Sequence, residues 1–105
     1  MEFLLNYEIK ENQIAELKER YNENIINFMI QNKEFIIEKL EYLKKENYII
    51  YPIIANNIRV FLEIMPSLME KIEIMKKKGL SKKQIQIVLM NEKLYSKIEN
   101  SKKEN

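Results

Sequence analysis

Residues that interrupt helices are almost missing from this chain. Its 105 residues include one glycine, Gly79, and two prolines, Pro52 and Pro66, whereas lysine and glutamate, both good helix formers, are abundant. A chain with so few breakers favours helices joined by short connections. We therefore predict an all-α fold, a compact bundle or short solenoid of about five to six helices arranged as about two to three helical hairpins.

The length and composition indicate one folded domain. A chain of 105 residues with 46% hydrophobic and 32% charged residues can bury a single core without disulfides or metals. We assign residues 1–98 to a single helical domain, with near-repeats at about 33–65 and 66–98. Residues 99–105 are predicted to form a polar C-terminal tail.

Apolar residues recur at spacings of three and four along the first half of the chain. This pattern predicts a helix from about Lys10 to Gln31 and another from about Lys33 to Glu46. The polar stretch at 21–24 leaves open whether the first of these is one helix or two.

The second half carries helix start and stop signals. Pro66 is predicted to open a helix that runs to Lys78, and Gly79 to end it in a left-handed conformation. Ser81 then begins another helix, since Ser81 and Gln84 match a capping box. Burial is expected to continue beyond that helix at three apolar residues: Leu94, Tyr95 and Ile98.

The segment from Tyr48 to Ile64 is open to two interpretations. Its β-branched residues suit a hairpin of two strands around Asn56-Asn57. Pro52 would remove a ladder donor from such a hairpin, however, and suits the first turn of a short helix. We predict two short buried helices, because helical spacing also relates Ile58, Phe61, Leu62 and Met65.

Two stretches of the chain resemble one another. Residues 38–48 read EKLEYLKKENY and residues 70–80 read EKIEIMKKKGL, 32 positions further on. Each leads into a second apolar segment and then an asparagine, Asn57 in one copy and Asn91 in the other. A period near 30 is typical of stacked helical hairpins, each too small to bury its apolar face alone.

The second copy has a Gly-Leu-Ser turn at 79–81, and Asn91 is followed by Glu-Lys-Leu-Tyr. These features resemble the helical repeat of the mitochondrial transcription termination factor (mTERF) family. In that repeat a Leu-Gly-Leu-Ser-like turn joins two helices, and Asn-Pro with an apolar pair follows. Glu92 stands here at the usual proline, and Ile58 follows the other asparagine. The resemblance covers about residues 14–98 and implies a curved solenoid whose basic concave face binds nucleic acid.

Side chains that usually carry catalysis are missing. The chain has no cysteine, histidine or aspartate, which excludes a disulfide, a thiol nucleophile, a thiolate metal site and histidine acid–base chemistry. A single glycine cannot build a phosphate-binding loop. Glutamate pairs such as Glu38/Glu41 and Glu70/Glu73 lie among lysines, as solvated helix faces do. We predict no enzyme activity and no catalytic, metal or cofactor site.

No targeting or membrane signal stands out. The start of the sequence, MEFLLNYEIK, has no basic segment ahead of its short apolar patch, so a signal peptide is not expected. The apolar runs are far shorter than the roughly 20 residues that span a bilayer. We expect a cytoplasmic protein that does not interact with membranes.

Charged residues are distributed unevenly along the chain, and the positive half contains most of the candidate contact residues. Residues 1–50 carry a net charge of −3 and residues 51–105 a net charge of +5. Five lysines occur within the eight residues 76–83, around a helix–helix turn. They could contact phosphates, or they could simply be cations that favour a helix C-terminus. The candidate partner or nucleic-acid contacts are Arg59, Lys76, Lys77, Lys78, Lys82 and Lys83.

Three tyrosines, Tyr42, Tyr48 and Tyr51, are less clearly part of the apolar stripes and are candidate protein-interface aromatics. We expect a small binding protein that docks on a larger protein or ribonucleoprotein. Its role would be that of an inhibitor or accessory factor, such as a phage or mobile-element protein acting on a host nuclease complex. The alternative is a nucleic-acid-binding helical repeat that uses the turn at 76–83. A homodimer is a third expectation, because the first helix has near-heptad spacing.

Overall fold

A computed structural model describes residues 1–99; the rest of the predicted polar tail, residues 100–105, lies outside the described residues. The described part is all helical and contains no strand. A 3-10 helix spans Glu2–Tyr7, and the α-helices that follow are α1 Glu11–Arg20, α2 Glu23–Gln31, α3 Lys33–Lys45, α4 Ile50–Asn56, α5 Arg59–Leu62, α6 Met65–Lys77, α7 Lys82–Leu89 and α8 Glu92–Ser96.

The prediction of five to six helices is wrong, because residues 1–99 form nine. Two asparagines begin additional helices, one at a break that the sequence left open and one beyond the helix that Ser81 begins. The side chain of Asn22 accepts a hydrogen bond from the backbone N–H of Ile25, which starts α2, and Asn91 does the same for Leu94 at the start of α8. The N-terminal 3-10 helix was not predicted, since six residues are too few to show a helical period.

The segment from Tyr48 to Ile64 is helical, which confirms the two short helices and excludes the strand hairpin. Pro52 lies in the first turn of α4, where a backbone N–H has no acceptor within the helix. The capping box at the start of α7 is also confirmed. Gln84 N–H donates to Ser81 Oγ at 3.2 Å, and Ser81 N–H donates to Gln84 Oε1 at 2.8 Å.

The two near-repeats end their first helices in the same way. Asn47 after α3 has φ 66° and Gly79 after α6 has φ 88°, so both adopt the left-handed conformation. The N–H of Tyr48 then donates to Leu43 O at 2.9 Å, and the N–H of Leu80 to Met75 O at 3.1 Å. The sequence similarity between the two stretches is therefore accompanied by matching backbone geometry.

The core surrounds α3, which packs against the 3-10 helix, α2, α4 and α5. Leu4 and Tyr7 of the 3-10 helix are buried, and Phe61 of α5 and Tyr95 of α8 are buried at corresponding places in the two near-repeats. α6 packs against α7, and residues of the turns that follow α3 and α6 line a common hollow.

Candidate docking site

The turns at Asn47 and Gly79 enclose an open hollow. Its volume is about 320 Å³, and Lys76 Nζ lies 3.8 Å from Glu46 Oε1 across it. Both side chains of this ion pair are well exposed, so the pair contributes little to stability. We call this hollow the lysine cleft; its lining residues are Lys45, Glu46, Asn47, Tyr48, Lys76, Leu80, Lys82 and Ile85.

Lys82 reaches the cleft because the capping box at Ser81 fixes where α7 begins. Its Nζ lies 5.4 Å from the centre of the Tyr48 ring, within range of a cation–π contact. The Tyr48 ring itself is only 7% exposed. Burial raises the pKa of the Tyr48 hydroxyl, and the charge of Glu46 raises it further. The hydroxyl therefore stays neutral near pH 7.

The structure divides the lysine run at 76–83. Lys76 and Lys82 line the lysine cleft, whereas Lys77 and Lys78 line a separate hollow of about 560 Å³ that also contains the carboxylates of Glu70, Glu73 and Glu99. Lys83 is exposed and lines neither hollow. The predicted cluster is thus not one continuous positive surface.

Arg59 opens the short helix α5 and is exposed. Its guanidinium makes no hydrogen bond or ion pair with another residue of the described range 1–99, and it lines neither the lysine cleft nor the hollow around Lys77. Of the six candidate cations, the structure therefore brings Lys76 and Lys82 together in the lysine cleft and Lys77 and Lys78 together in the other hollow, and it places Arg59 and Lys83 in neither.

The candidate tyrosines are mostly engaged within the protein. Tyr51 is half-buried, and its hydroxyl donates to Glu16 Oε1 at 2.6 Å; this hydrogen bond is the main reason that its pKa is raised. Tyr42 is half-buried, and burial raises its pKa. Tyr48 is almost covered, so none of the three candidate tyrosines is fully exposed to a partner.

The sequence analysis missed Ile49, whose side chain is 66% exposed, more than any other large apolar side chain in the described residues. It occupies the N-cap position of α4 and makes no side-chain capping bond. Isoleucine is among the least favourable residues at this position, and the corresponding residue of the other near-repeat is the capping Ser81. This difference between the two copies is the sequence signal that points to Ile49.

The backbone of Ile49 is nevertheless held firmly. Its N–H donates to Gln86 Oε1 at 2.9 Å, and its carbonyl accepts from Gln86 Nε2 at 3.0 Å. A side-chain amide from α7 thus satisfies both polar groups of a residue that has no cap of its own. The result is a rigid backbone that presents an apolar side chain to solvent.

Ile49 also lines a second hollow, of about 570 Å³, on the other side of the Asn47–Tyr48 turn. We call it the Ile49 groove; its lining residues are Tyr7, Glu8, Gln13, Lys44, Asn47, Tyr48, Ile49, Ile50, Tyr51 and Pro52. Because the groove and the lysine cleft share Asn47 and Tyr48, they form one continuous face with an apolar part and a cationic part.

Tyr7 forms the far wall of the groove. Its hydroxyl donates to Glu41 Oε2, and Lys44 Nζ lies 5.6 Å from its ring centre. Burial, with the hydrogen bond and charge of Glu41, raises the pKa of Tyr7 to about 12. The groove wall is therefore a neutral, hydrogen-bonded phenol at physiological pH.

Among residues 1–99, no group of three or more acidic side chains is placed to hold a metal ion. Within the same range, no helix combines the length and apolar character needed to cross a membrane. Comparison with protein-family models, curated proteins and solved structures finds no match for this chain.

Proposed function

We propose that this chain is a cytoplasmic, non-enzymatic binding protein that docks on a larger protein or ribonucleoprotein through the Ile49 groove and the lysine cleft. The observation that carries the proposal is the exposed, rigidly held Ile49 at a helix N-cap. An inhibitory or accessory role, of the kind that small phage or mobile-element proteins exert on host nuclease complexes, belongs to the same proposal.

In the free protein, an isoleucine at the N-cap of α4 contributes little to stability. An uncapped N-terminus costs about 1 kcal/mol relative to a good cap such as serine. Leaving the side chain in water also forgoes much of the roughly 1.5–3 kcal/mol that burying it would contribute. The second cost is recovered if a partner covers Ile49, because its side chain would then be buried.

The surroundings of Ile49 match a protein-binding surface. Interface hot spots are apolar anchors that lose all their water, enclosed by polar residues that contribute little energy themselves. Here the anchor has a fixed backbone, so docking costs little conformational entropy. Gln13, Lys44 and Lys82 supply the polar surroundings. A binding role also agrees with a sequence that lacks histidine, cysteine and aspartate.

Affinity capture from the native host tests the proposal. The chain and its Ile49→Glu variant are each used as bait, with nucleases added in one arm. Ile30→Glu is the matched control, because Ile30 is 45% exposed on α2, away from the groove. We expect a partner that survives nuclease treatment, is retained by Ile30→Glu and is lost with Ile49→Glu. Equal retention by both variants would contradict the proposal.

A second candidate function is nucleic-acid binding, supported by the way the lysine cleft gathers Lys45, Lys76 and Lys82 around a single carboxylate. Binding to phosphates weakens steeply as salt rises. Titration of a labelled RNA or DNA at several salt concentrations tests this candidate. Sedimentation of the free protein, run alongside, tests whether the Ile49 groove instead joins two copies of the chain.

A further inference from the structure

We infer that the segment bound at this face is an acidic peptide of a partner protein, with a carboxylate in the lysine cleft and a neighbouring apolar side chain against Ile49. This inference rests on the proposed docking function and names the chemistry of the partner. Two features of the face carry it: an unbalanced positive charge in the cleft and the burial of Tyr48, the aromatic residue among those that line the cleft.

The lysine cleft keeps a positive charge after its own partners are counted. Three lysines, Lys45, Lys76 and Lys82, and one glutamate, Glu46, line it, and Lys76 Nζ lies 3.8 Å from Glu46 Oε1. The C-termini of α3 and α6 end here and each adds about −0.5 charge, while the N-terminus of α7 adds about +0.5. Between about one and two positive charges remain, and a carboxylate from a partner would balance them.

The arrangement fits a peptide better than a nucleic acid. Proteins that bind single strands stack bases on open aromatic rings. The ring of Tyr48 is buried under Lys82, and Tyr51 is half-buried and tied to Glu16. A phosphate backbone that continued beyond the cleft toward Lys77 would also meet the glutamates that line another hollow, Glu70, Glu73 and Glu99.

The two hollows set the spacing between the acidic and the apolar group of the peptide. They meet at Asn47 and Tyr48, and Ile49 follows directly in the sequence. An extended peptide crossing this turn places a side chain in the cleft and another in the groove about two residues further on, because successive side chains of an extended chain point to opposite sides. The fitting pattern is thus an Asp or Glu about two residues from a Leu, Ile or Phe, in either order along the peptide.

A binding experiment with defined probes tests the inference. The probes are a labelled peptide that repeats Glu-Ser-Leu-Ser, so that Glu and Leu two residues apart lie on the same side of an extended chain, its Gln-for-Glu counterpart, and a labelled oligouridylate of similar length. Fluorescence anisotropy gives the affinities, and amide NMR shifts locate the sites. We expect the acidic peptide to bind at least about tenfold more tightly than the Gln peptide and to shift Ile49, Lys76 and Lys82.

Charge reversal provides matched variants. The variant Lys76→Glu/Lys82→Glu should bind the acidic peptide about tenfold or more weakly than the wild-type protein. The variant Lys77→Glu/Lys78→Glu, with the same change of net charge, should keep the wild-type affinity within about twofold. Equal weakening by both pairs, equal binding of the Gln peptide, or tighter binding of the oligouridylate at the cleft would each overturn the inference.

The same variants separate this inference from the proposed function. If the native partner is lost with Ile49→Glu but retained by Lys76→Glu/Lys82→Glu, the docking function stands and the acidic-peptide inference fails. If Ile49→Glu retains the partner, the docking function itself fails. Circular dichroism of each variant confirms that the helical fold is intact, as expected for substitutions at exposed positions.

Discussion

Lys39 and Lys71 occupy corresponding positions in the two near-repeats, and both direct their ammonium groups to Glu63. Lys39 Nζ donates to the backbone carbonyl of Glu63 at 2.7 Å, and Lys71 Nζ to its Oε2 at 3.0 Å. Lys39 is fully buried and Lys71 is 9% exposed. Two lysines that a charge pattern would assign to solvent thus join α3 and α6 to the short connection between α5 and α6.

Each buried ammonium also meets an aromatic ring. Lys39 Nζ lies 3.2 Å from the ring centre of Phe35, and Lys71 Nζ lies 4.5 Å from that of Tyr95. Burial lowers the pKa of Lys39, since a charged group is costly away from water. The rings and Glu63 offset that cost, so the stability of this region depends on Glu63.

We expect Glu63→Ala to lower the free energy of unfolding by about 3 kcal/mol, because it leaves the buried Lys71 without its carboxylate. Urea denaturation followed by circular dichroism measures the change. In a double-mutant cycle with Lys71→Met, the double variant should lose clearly less than the sum of the two single variants. Additive losses would show that the pair is not coupled.

For Tyr95 we predict a substitution that raises the free energy of unfolding. The side chain is 1% exposed, and its hydroxyl has no hydrogen-bond partner among residues 1–99. A buried hydroxyl without a partner costs about 1–3 kcal/mol. The corresponding residue of the first near-repeat, Phe61, lacks the hydroxyl and is equally buried.

We therefore expect Tyr95→Phe to raise the free energy of unfolding by about 1 kcal/mol while keeping the ring beneath Lys71. The reverse change, Phe61→Tyr, is the matched control and should be destabilising. Thermal and urea denaturation of both variants measure the effect. A loss of stability in Tyr95→Phe would mean that the hydroxyl is satisfied in solution.

Much of the fold follows from local sequence signals. The helical spacing, the capping pair Ser81 and Gln84, and the left-handed turn at Gly79 each depend on neighbouring residues, and all agree with the structure. The break at Asn22 shows a feature that local sequence signals do not determine. Tyr21 leaves the helical conformation and its hydroxyl donates to Ile54 O at 2.7 Å, a contact 33 positions away that no local pattern reveals.

The site was harder to anticipate than the fold, because it depends on which lysines share a hollow. Residues 76–83 predict a single basic cluster, but the helix turn between Lys76 and Lys78 and the start of α7 at Lys82 send these side chains to different hollows. From the sequence alone, Ile49 would be assigned to the buried core, because it lies in an apolar stretch. Only the fold shows that Gln86 holds its backbone while its side chain faces solvent.

Tyr7 makes the stability of the folded protein decrease at alkaline pH. Its pKa is about 12 in the folded protein and about 10 when unfolded, so the folded state favours the neutral phenol. The resulting stability is complete below pH 10 and is lost as the pH rises from 10 toward 12. Burial also raises the pKa of Tyr21, Tyr42 and Tyr48, which adds to the same trend.

We expect the urea midpoint of the wild-type protein to fall between pH 8 and pH 11.5, and that of Tyr7→Phe to fall less over the same interval. At pH 8 the variant should be somewhat less stable, because it lacks the hydrogen bond to Glu41. Absorbance of tyrosinate at 295 nm during the titration identifies the late-ionising group. Identical pH dependence of the two proteins would contradict the assignment to Tyr7.

The hydrogen bonds between Gln86 and Ile49 predict a change that stability alone would not show. In the wild-type protein the Ile49 N–H is occupied by Gln86 Oε1, so its exchange with solvent should be slow for a residue at the surface. Gln86→Ala removes this acceptor and exposes the amide, at a cost of about 1–2 kcal/mol. We expect Ile49 exchange to accelerate by more than about tenfold, while the N–H of Tyr48, bonded to Leu43 O, exchanges as before.

Hydrogen exchange followed by NMR resolves the two amides. Equal acceleration at both would indicate general loosening of the turn, whereas a selective change at Ile49 would show that Gln86 fixes the backbone from which the docking side chain projects.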